Sequence, residues 1–303
     1  MWTASRQDYR VFQSGRFVGY VQKEFASEYF YDLLADLLAS PPSPEKVLYV
    51  RRRNIEVFMV HVPMNGYPQD MFLKSTRKSH WHMIFRVLVK PSVTLRYLAL
   101  ADTLKAIGIH TPSIIAVVEE KSFFGTKRSF VLTEWIRNAM TLKEYMIAAP
   151  SRPRSGSESA ERRAIIHCFA EMVRRLHSNK IFHFDLSLLN ILLSDERSGT
   201  HFLTLVDLDA AVISRQRAGI LSSLLRFADL LILNKDFYPV THLKERLRFL
   251  AAYSGKAVSM RRYRRTLFFL VSTPVLLHVC RCLEAIRLIH LLRRLLICLR
   301  IVR

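Results

Sequence analysis

Three residues carry the chemistry most legible in this chain. They are Asp185, Asn190 five positions later, and Asp207 at the end of an apolar run. The first two stand in His183-Phe184-Asp185-Leu186-Ser187-Leu188-Leu189-Asn190-Ile191-Leu192-Leu193, and the third closes Leu203-Thr204-Leu205-Val206-Asp207. Phosphoryl transfer to a hydroxyl needs this set. One carboxylate accepts or orients the proton of the attacking hydroxyl. An amide oxygen and a second carboxylate hold Mg²⁺ against the nucleotide phosphates.

The surrounding elements must bring these groups together. The four residues between Asp185 and Asn190 predict a short loop whose leucines pack beneath it while both polar ends turn to one pocket. Ile191-Leu192-Leu193 predicts a short buried strand. Ser194 to Thr200 is turn chemistry with Gly199 available for a positive φ, and His201 to Val206 predicts the return strand. Asn190 and Asp207 then share one end of a hairpin, where a single Mg²⁺ with oxygen ligands at about 2.1 Å can reach both. Upstream, Ile165, Phe169, Met172, Val173 and Leu176 recur at helical spacing over Glu161 to Ser178, with Arg162, Arg163, Arg174 and Arg175 on the other side. His177 reads as a helix-end residue packing beside the loop rather than as a base.

The amino-terminal half predicts a β-rich region able to supply a phosphate-pairing lysine. Lys46–Val50 and Ile55–Val62 read as paired strands about the turn Arg51-Arg52-Arg53-Asn54, and Gln69–Lys74 as a third strand ending in the candidate Lys74. Pro91 to Gly108 predicts a helix that Gly108 ends. Ser113–Val118 and Arg128–Thr133 read as two more strands, and Glu134-Trp135-Ile136 as a hinge whose backbone groups, at Glu134 and Ile136, face adenine.

These elements, in this order, resemble the lipopolysaccharide-core kinase family, which phosphorylates Kdo or heptose. The likeness runs from about Lys46 to about Ser254. It rests on Lys74, the Ala-Ile-Gly-Ile-His-Thr-Pro helix exit, the His-x-Asp-Leu…Asn-Ile-Leu loop and the Val-Asp-Leu-Asp segment. Leu224-Leu225-Arg226-Phe227 and Phe249-Leu250-Ala251-Ala252-Tyr253-Ser254 add to it. The resemblance implies an α+β, bilobal protein-kinase-like fold with a small β-rich N-lobe and a mainly helical C-lobe. It implies ATP with Mg²⁺ and a sugar hydroxyl on a lipid-linked saccharide as acceptor. Asp185 would be the base, Asn190 and Asp207 the metal ligands, and Lys74 the phosphate contact.

The chain departs from the family in places. The first helix usually offers a Glu to the strand lysine, and that place falls on Tyr97. No Asp or Glu occurs between Asp70 and Asp102. Asp102 lies about 140° round the helix from Tyr97 and does not face the same way. The first hairpin has no glycine-rich phosphate loop, and Phe184 stands where a small residue is more usual.

The implied organisation is residues 1–45 as a hairpin and helix extension, 46–136 as N-lobe, 137–260 as C-lobe with a flexible insertion at 151–160, and 261–303 as a basic amphipathic helical tail. A formal charge of +21 predicts anionic partners: an anionic membrane surface and a phosphorylated glycolipid, with nucleic acid ranked behind them. The tail has ten Arg, one Glu and no Lys or Asp. Its apolar run from Leu267 to Cys280 is shorter than the roughly 20 residues a spanning helix needs, so the tail suits a membrane interface. None of the four cysteines forms a C-x-x-C pair, and no apolar signal core opens the chain. The expected location is cytoplasmic, peripheral on the inner face of the cytoplasmic membrane. Two other functions fit the loop: a small-molecule phosphotransferase of the aminoglycoside or choline kinase sort, and a pseudokinase that binds membrane without catalysis.

Overall fold

A computed structural model describes residues 8–39, 46–52, 54–64, 67–77, 93–123, 125–148, 156–195, 201–214 and 220–255. The chain forms two compact units, Met1–Thr103 with Pro112–Ile136, and Leu104–Thr111 with Arg137–Arg303.

Alternation builds the sheet of the first unit. In β4 (Ile55–Met64) and β5 (Tyr67–Arg77) successive side chains turn to opposite faces. Their pairing puts Phe58, Val60, Met71 and Leu73 on one face, and Val57, Met59, Phe72 and Lys74 on the other. Helix α1 (Glu28–Ala39) closes the first face with Phe30, Leu34, Leu37 and Leu38. Ser27 starts this helix by accepting the Phe30 N–H at 3.2 Å, and the Lys46 ammonium ends it by donating to the Leu37 carbonyl. The second face carries the candidate lysine.

The remaining strands are β1 (Tyr9–Ser14), β2 (Phe17–Gln22), β3 (Lys46–Arg52), β6 (Ile114–Ser122) and β7 (Gly125–Glu134). Their order is β1-β2-β6-β7-β5-β4-β3. The first hairpin turns at Gly15, with φ +52°, where the sequence places it. It is not an appendage, because β2 pairs with β6 and adds two strands to the common sheet. The approach is close at Gly19, where a Cβ would lie 2.1 Å from the Val117 carbonyl oxygen. Helix α2 (Val93–Ala106) buries Tyr97, Leu98, Leu100 and Leu104. It stops at Gly108 (φ +70°), beyond which the Ile109 N–H returns to the Leu104 carbonyl at 2.9 Å.

The second unit is mainly helical: α3 (Leu142–Ala148), α4 (Gly156–Ser178), α5 (Ile220–Phe237) and α6 (Leu243–Ser254). Two small sheets complete it. One has the order β11 (His201–Leu205), β10 (Ile191–Asp195), β8 (Ala139–Thr141), and the other pairs β12 (Val212–Ile213) with β9 (Ile181–Phe182). Phe169, Phe237 and Phe249 bring one ring each from α4, α5 and α6, with centroids 5.2 to 6.1 Å apart.

Two sequence expectations change here. Helix α4 begins at Gly156, inside the segment expected to be a flexible insertion. Its Ser and Glu residues read as linker, yet acids in a first turn also favour a helix start. Residues 151–155 and the tail 261–303 lie outside the described residues. The second concerns Arg162, expected on the side of the helix away from its apolar residues. It is only 4% exposed, and its Nε donates to Glu245 at 2.6 Å. Its remaining nitrogens reach the carbonyls of Met146 and Val240, both at 3.0 Å. Burial works to raise the Glu245 carboxyl, but Arg162 and the His242 N–H outweigh it and hold that carboxyl below its ordinary range.

Removing Arg162 leaves a buried carboxylate without its ion-pair partner. Arg162→Met is expected to lower stability by about 3–5 kcal/mol, which is about 10 °C of melting temperature for a unit of this size. Because the folded carboxyl is depressed, the pair's contribution is present above the unfolded glutamate range and fades as pH falls through the folded value. Thermal scans of both proteins at neutral and acid pH check this, and equal melting temperatures at neutral pH would refute it.

Candidate active site

The catalytic-loop sequence is held almost entirely by buried groups. From Ile181 to Leu188 every residue is buried except Asp185, which projects to solvent. Strand β9 enters the loop, paired with β12. Ser187 then starts a single tight turn over Leu188–Asn190, accepting the Leu189 N–H at 3.1 Å. Leu186 and Leu188 pack beneath as expected, but Leu189 is 47% exposed, because the turn rotates it outward.

That turn returns Asn190 to Asp185. The Asn190 Nδ2 donates to the Asp185 carbonyl at 2.8 Å and to its Oδ2 at 3.2 Å. Both partners are acceptors, so the amide orientation is fixed and Oδ1 is the atom not engaged with Asp185. The hairpin β10–β11 carries Asn190 at its start and Asp207 just past its end, as the sequence predicts. Two bonds tie those ends. The Val206 N–H reaches the Asn190 carbonyl at 3.0 Å, and His183 Nε2 donates to the Val206 carbonyl at 3.3 Å. Asp207 follows with φ +57°, a left-handed backbone uncommon outside glycine, and Phe184 shares it at φ +57°. An amide oxygen and a carboxylate at one end of a hairpin are the hard oxygen donors Mg²⁺ takes, with phosphate oxygens and water completing its shell. The helix exit also serves this hairpin, since the His110 carbonyl accepts the Leu205 N–H at 2.9 Å.

The loop's strongest anchor escaped the sequence reading. Asp229, on α5, is completely buried. Its carboxylate accepts the His183 and Phe184 N–H groups, both at 2.7 Å, and the His177 Nε2–H at 3.2 Å. Burial pushes the Tyr253 hydroxyl up to about 12, so it stays protonated and donates to His177 Nδ1 at 2.7 Å. His177 is thus the packing residue expected at the helix end, one step in a chain from Tyr253 to the loop. The available signal was a lone carboxylate in Leu225-Arg226-Phe227-Ala228-Asp229-Leu230-Leu231, where an apolar helix keeps a charge only for a partner.

In the first unit Lys74 is 7% exposed and sits between Val57 and Val131, both buried, on the second face of the sheet. At the hinge the Glu134 N–H already donates to the Ser113 carbonyl at 3.1 Å, and its Oε1 accepts the Ser113 N–H at 2.8 Å. The Glu134 carbonyl accepts the Thr133 hydroxyl at 3.2 Å, and a carbonyl oxygen has a second lone pair with which to meet a base. Ile136 is half-buried. Tyr97 is buried within α2.

Comparison with known proteins decides the family. The sequence matches the description "Lipopolysaccharide kinase (Kdo/WaaP) family" over residues 51–236, more than half of the chain. The chain belongs to that family. Lipopolysaccharide kinases are phosphotransferases, and kinase activity implies ATP and a divalent metal. Among solved structures, "WaaP in complex with acyl carrier protein" is similar at 19% identity and a TM-score of 0.56, covering 81% of this chain and 93% of that one. That likeness shows a protein-kinase-like fold. The PknI kinase domain of Mycobacterium tuberculosis aligns at 14% identity over 55% of this chain and 59% of its own, with a TM-score of 0.35. No curated protein matches the sequence.

Proposed function

We propose that this lipopolysaccharide kinase phosphorylates a sugar hydroxyl of a core or similar lipid-linked saccharide, working at the inner membrane surface. The observation that carries the reading is the Asp185–Asn190 bond pair at the end of a hairpin that closes with Asp207. In this reading Asp185, exposed and held by Asn190, takes the proton of the acceptor hydroxyl. Asn190 Oδ1 and the Asp207 carboxylate hold Mg²⁺, which neutralises the phosphate charge when bound. Lys74 contacts the nucleotide phosphates, and the Glu134 carbonyl and Ile136 backbone face the adenine. Purified protein with labelled Mg-ATP is expected to phosphorylate Kdo–lipid A or a heptosylated core acceptor. Absence of transfer to every such acceptor, with transfer to aminoglycoside or choline instead, would replace this reading with the small-molecule one.

The membrane location is supported by composition. Residues 261–303 carry a net +9 among leucines and isoleucines. Among the described residues no helix is long and apolar enough to cross a membrane. Each basic residue near an anionic surface contributes on the order of 1 kcal/mol, and the attraction fades with salt. Deleting 261–303 is expected to cut turnover of acceptor embedded in anionic vesicles at least roughly tenfold, while detergent-solubilised acceptor is phosphorylated at the full rate. Equal losses on both substrates would show that the tail supports the fold instead.

A further inference from the structure

The turn between β6 and β7 is built against the usual chemistry of turns. Ser122 pairs with Gly125, and the Ser122 hydroxyl donates to the Gly125 carbonyl at 3.0 Å. The two positions between them are Phe123 and Phe124. Two-residue hairpin turns favour Asn, Asp and Gly, because those residues accept left-handed backbone and hydrate well. Phe123 is 97% exposed, so its ring adds no burial to the core.

What surrounds the tip is equally particular. Lys121, Lys127, Arg128 and Arg16 ring the hairpin just behind it. Their charged ends are held by two buried carboxylates. Glu120 meets Arg16 and Arg128, both at 3.2 Å, and Lys127 at 3.4 Å, while Glu119 meets Lys121 and the Thr126 hydroxyl. Four cations against two carboxylates leave the collar positive. Lys127, Lys121 and Arg16 each keep about half of their side-chain surface in water. The collar's charged groups are thus fixed in place while part of their surface stays in water.

We propose that this hairpin tip is a membrane wedge: Phe123 enters the interface of an anionic bilayer while the collar meets its headgroups. Aromatic rings suit the interfacial layer, and basic side chains behind them match its charge. A protein pocket would also take a phenylalanine, but it would not call for a ring of cations around the entry. The inference rests on the membrane-surface reading above and adds a second contact to it, in the β-rich unit and separate in sequence from the tail.

The test uses the full chain with vesicles of phosphatidylethanolamine and phosphatidylglycerol, and with pure phosphatidylcholine vesicles for comparison. Phe123→Ser is expected to weaken partition onto the anionic vesicles about tenfold, the order of withdrawing much of a phenylalanine's apolar surface, with the melting temperature unchanged. Phe123→Trp is expected to bind like wild type. In vesicles of brominated lipid its fluorescence should be quenched beyond the quenching of the wild-type tryptophans. Unchanged partition of Phe123→Ser, or no added quenching of Phe123→Trp, overturns the wedge. So does a loss for Phe123→Ser confined to binding of a protein partner. The outcome is separable from the kinase reading: vesicle binding through Phe123 without phosphate transfer sinks the latter alone, and transfer with Phe123-independent binding sinks the wedge alone.

Discussion

Asp185→Ala is expected to lower kcat for phosphate transfer by about 10²–10⁴-fold, the range a positioned general base supplies. The protein should otherwise be intact. Asp185 is the exposed residue in a buried loop, so its removal opens no cavity. The loop keeps its bonds to Asp229 and Val206, which involve other residues. Asn190 keeps its bond to the backbone carbonyl at position 185 and loses only the one to the carboxylate. The melting temperature should therefore stay within a degree or so, as for most exposed substitutions. Mg-ATP should still raise it, because the expected metal ligands remain. Asp185→Asn is the sharper variant, since it keeps an oxygen for Asn190 and removes the base. Wild-type turnover in either variant would remove Asp185 from the reaction. A protein whose melting temperature ignores millimolar Mg-ATP would point to the pseudokinase alternative.

Asp229→Ala is expected to damage fold and rate together. The carboxylate satisfies three buried donors: two backbone amides and the His177 ring. Hydrogen bonds to a charged group contribute about 1.5–3 kcal/mol each, and orphaned buried donors carry their own desolvation cost. The loss should reach about 4 kcal/mol even with relaxation, and about 10 °C in melting temperature. The rate should fall as well, because the amides of His183 and Phe184 set the direction of the next residue, Asp185. A positioning role differs from a purely structural one in what survives below the melting transition. Assayed at low temperature, where the variant is folded, kcat should still be reduced at least roughly tenfold, with the KM for ATP little changed. Tyr253→Phe, at the far end of the same chain, should give the same pattern at smaller size. Full activity of folded Asp229→Ala would show that the loop needs no such anchor.

The contrast between these residues marks what the sequence made legible. Asp185, Asn190 and Asp207 lie within one loop and one hairpin, so spacing and alternation suffice to bring them together. Asp229 lies about 45 positions from the amides it binds, and Glu245 is 83 from Arg162. Local periodicity holds no information on such pairs, and it puts Arg162 only on the side of the helix away from the apolar residues, where arginine is usually exposed. The start of α4 was misread for a related reason, since serine and glutamate serve both linkers and helix starts. Strands β3 to β7 of the first sheet followed from alternating runs. That β1 and β2 extend this same sheet did not, because β2 meets β6 across about a hundred residues.

That last pairing has a practical side. Along Phe17 to Val21 the second strand occupies the hydrogen-bonding rim of Glu120 to Ala116, drawn in tightly by Gly19. A shortened protein starting after Gln22 would bare that rim, a row of unanswered amides on one of the most apolar strands in the molecule, and neighbouring copies could zip onto it. Work on a minimal catalytic piece should therefore keep the opening hairpin even though it stands outside the matched family region, since its removal trades a folded enzyme for a sticky one.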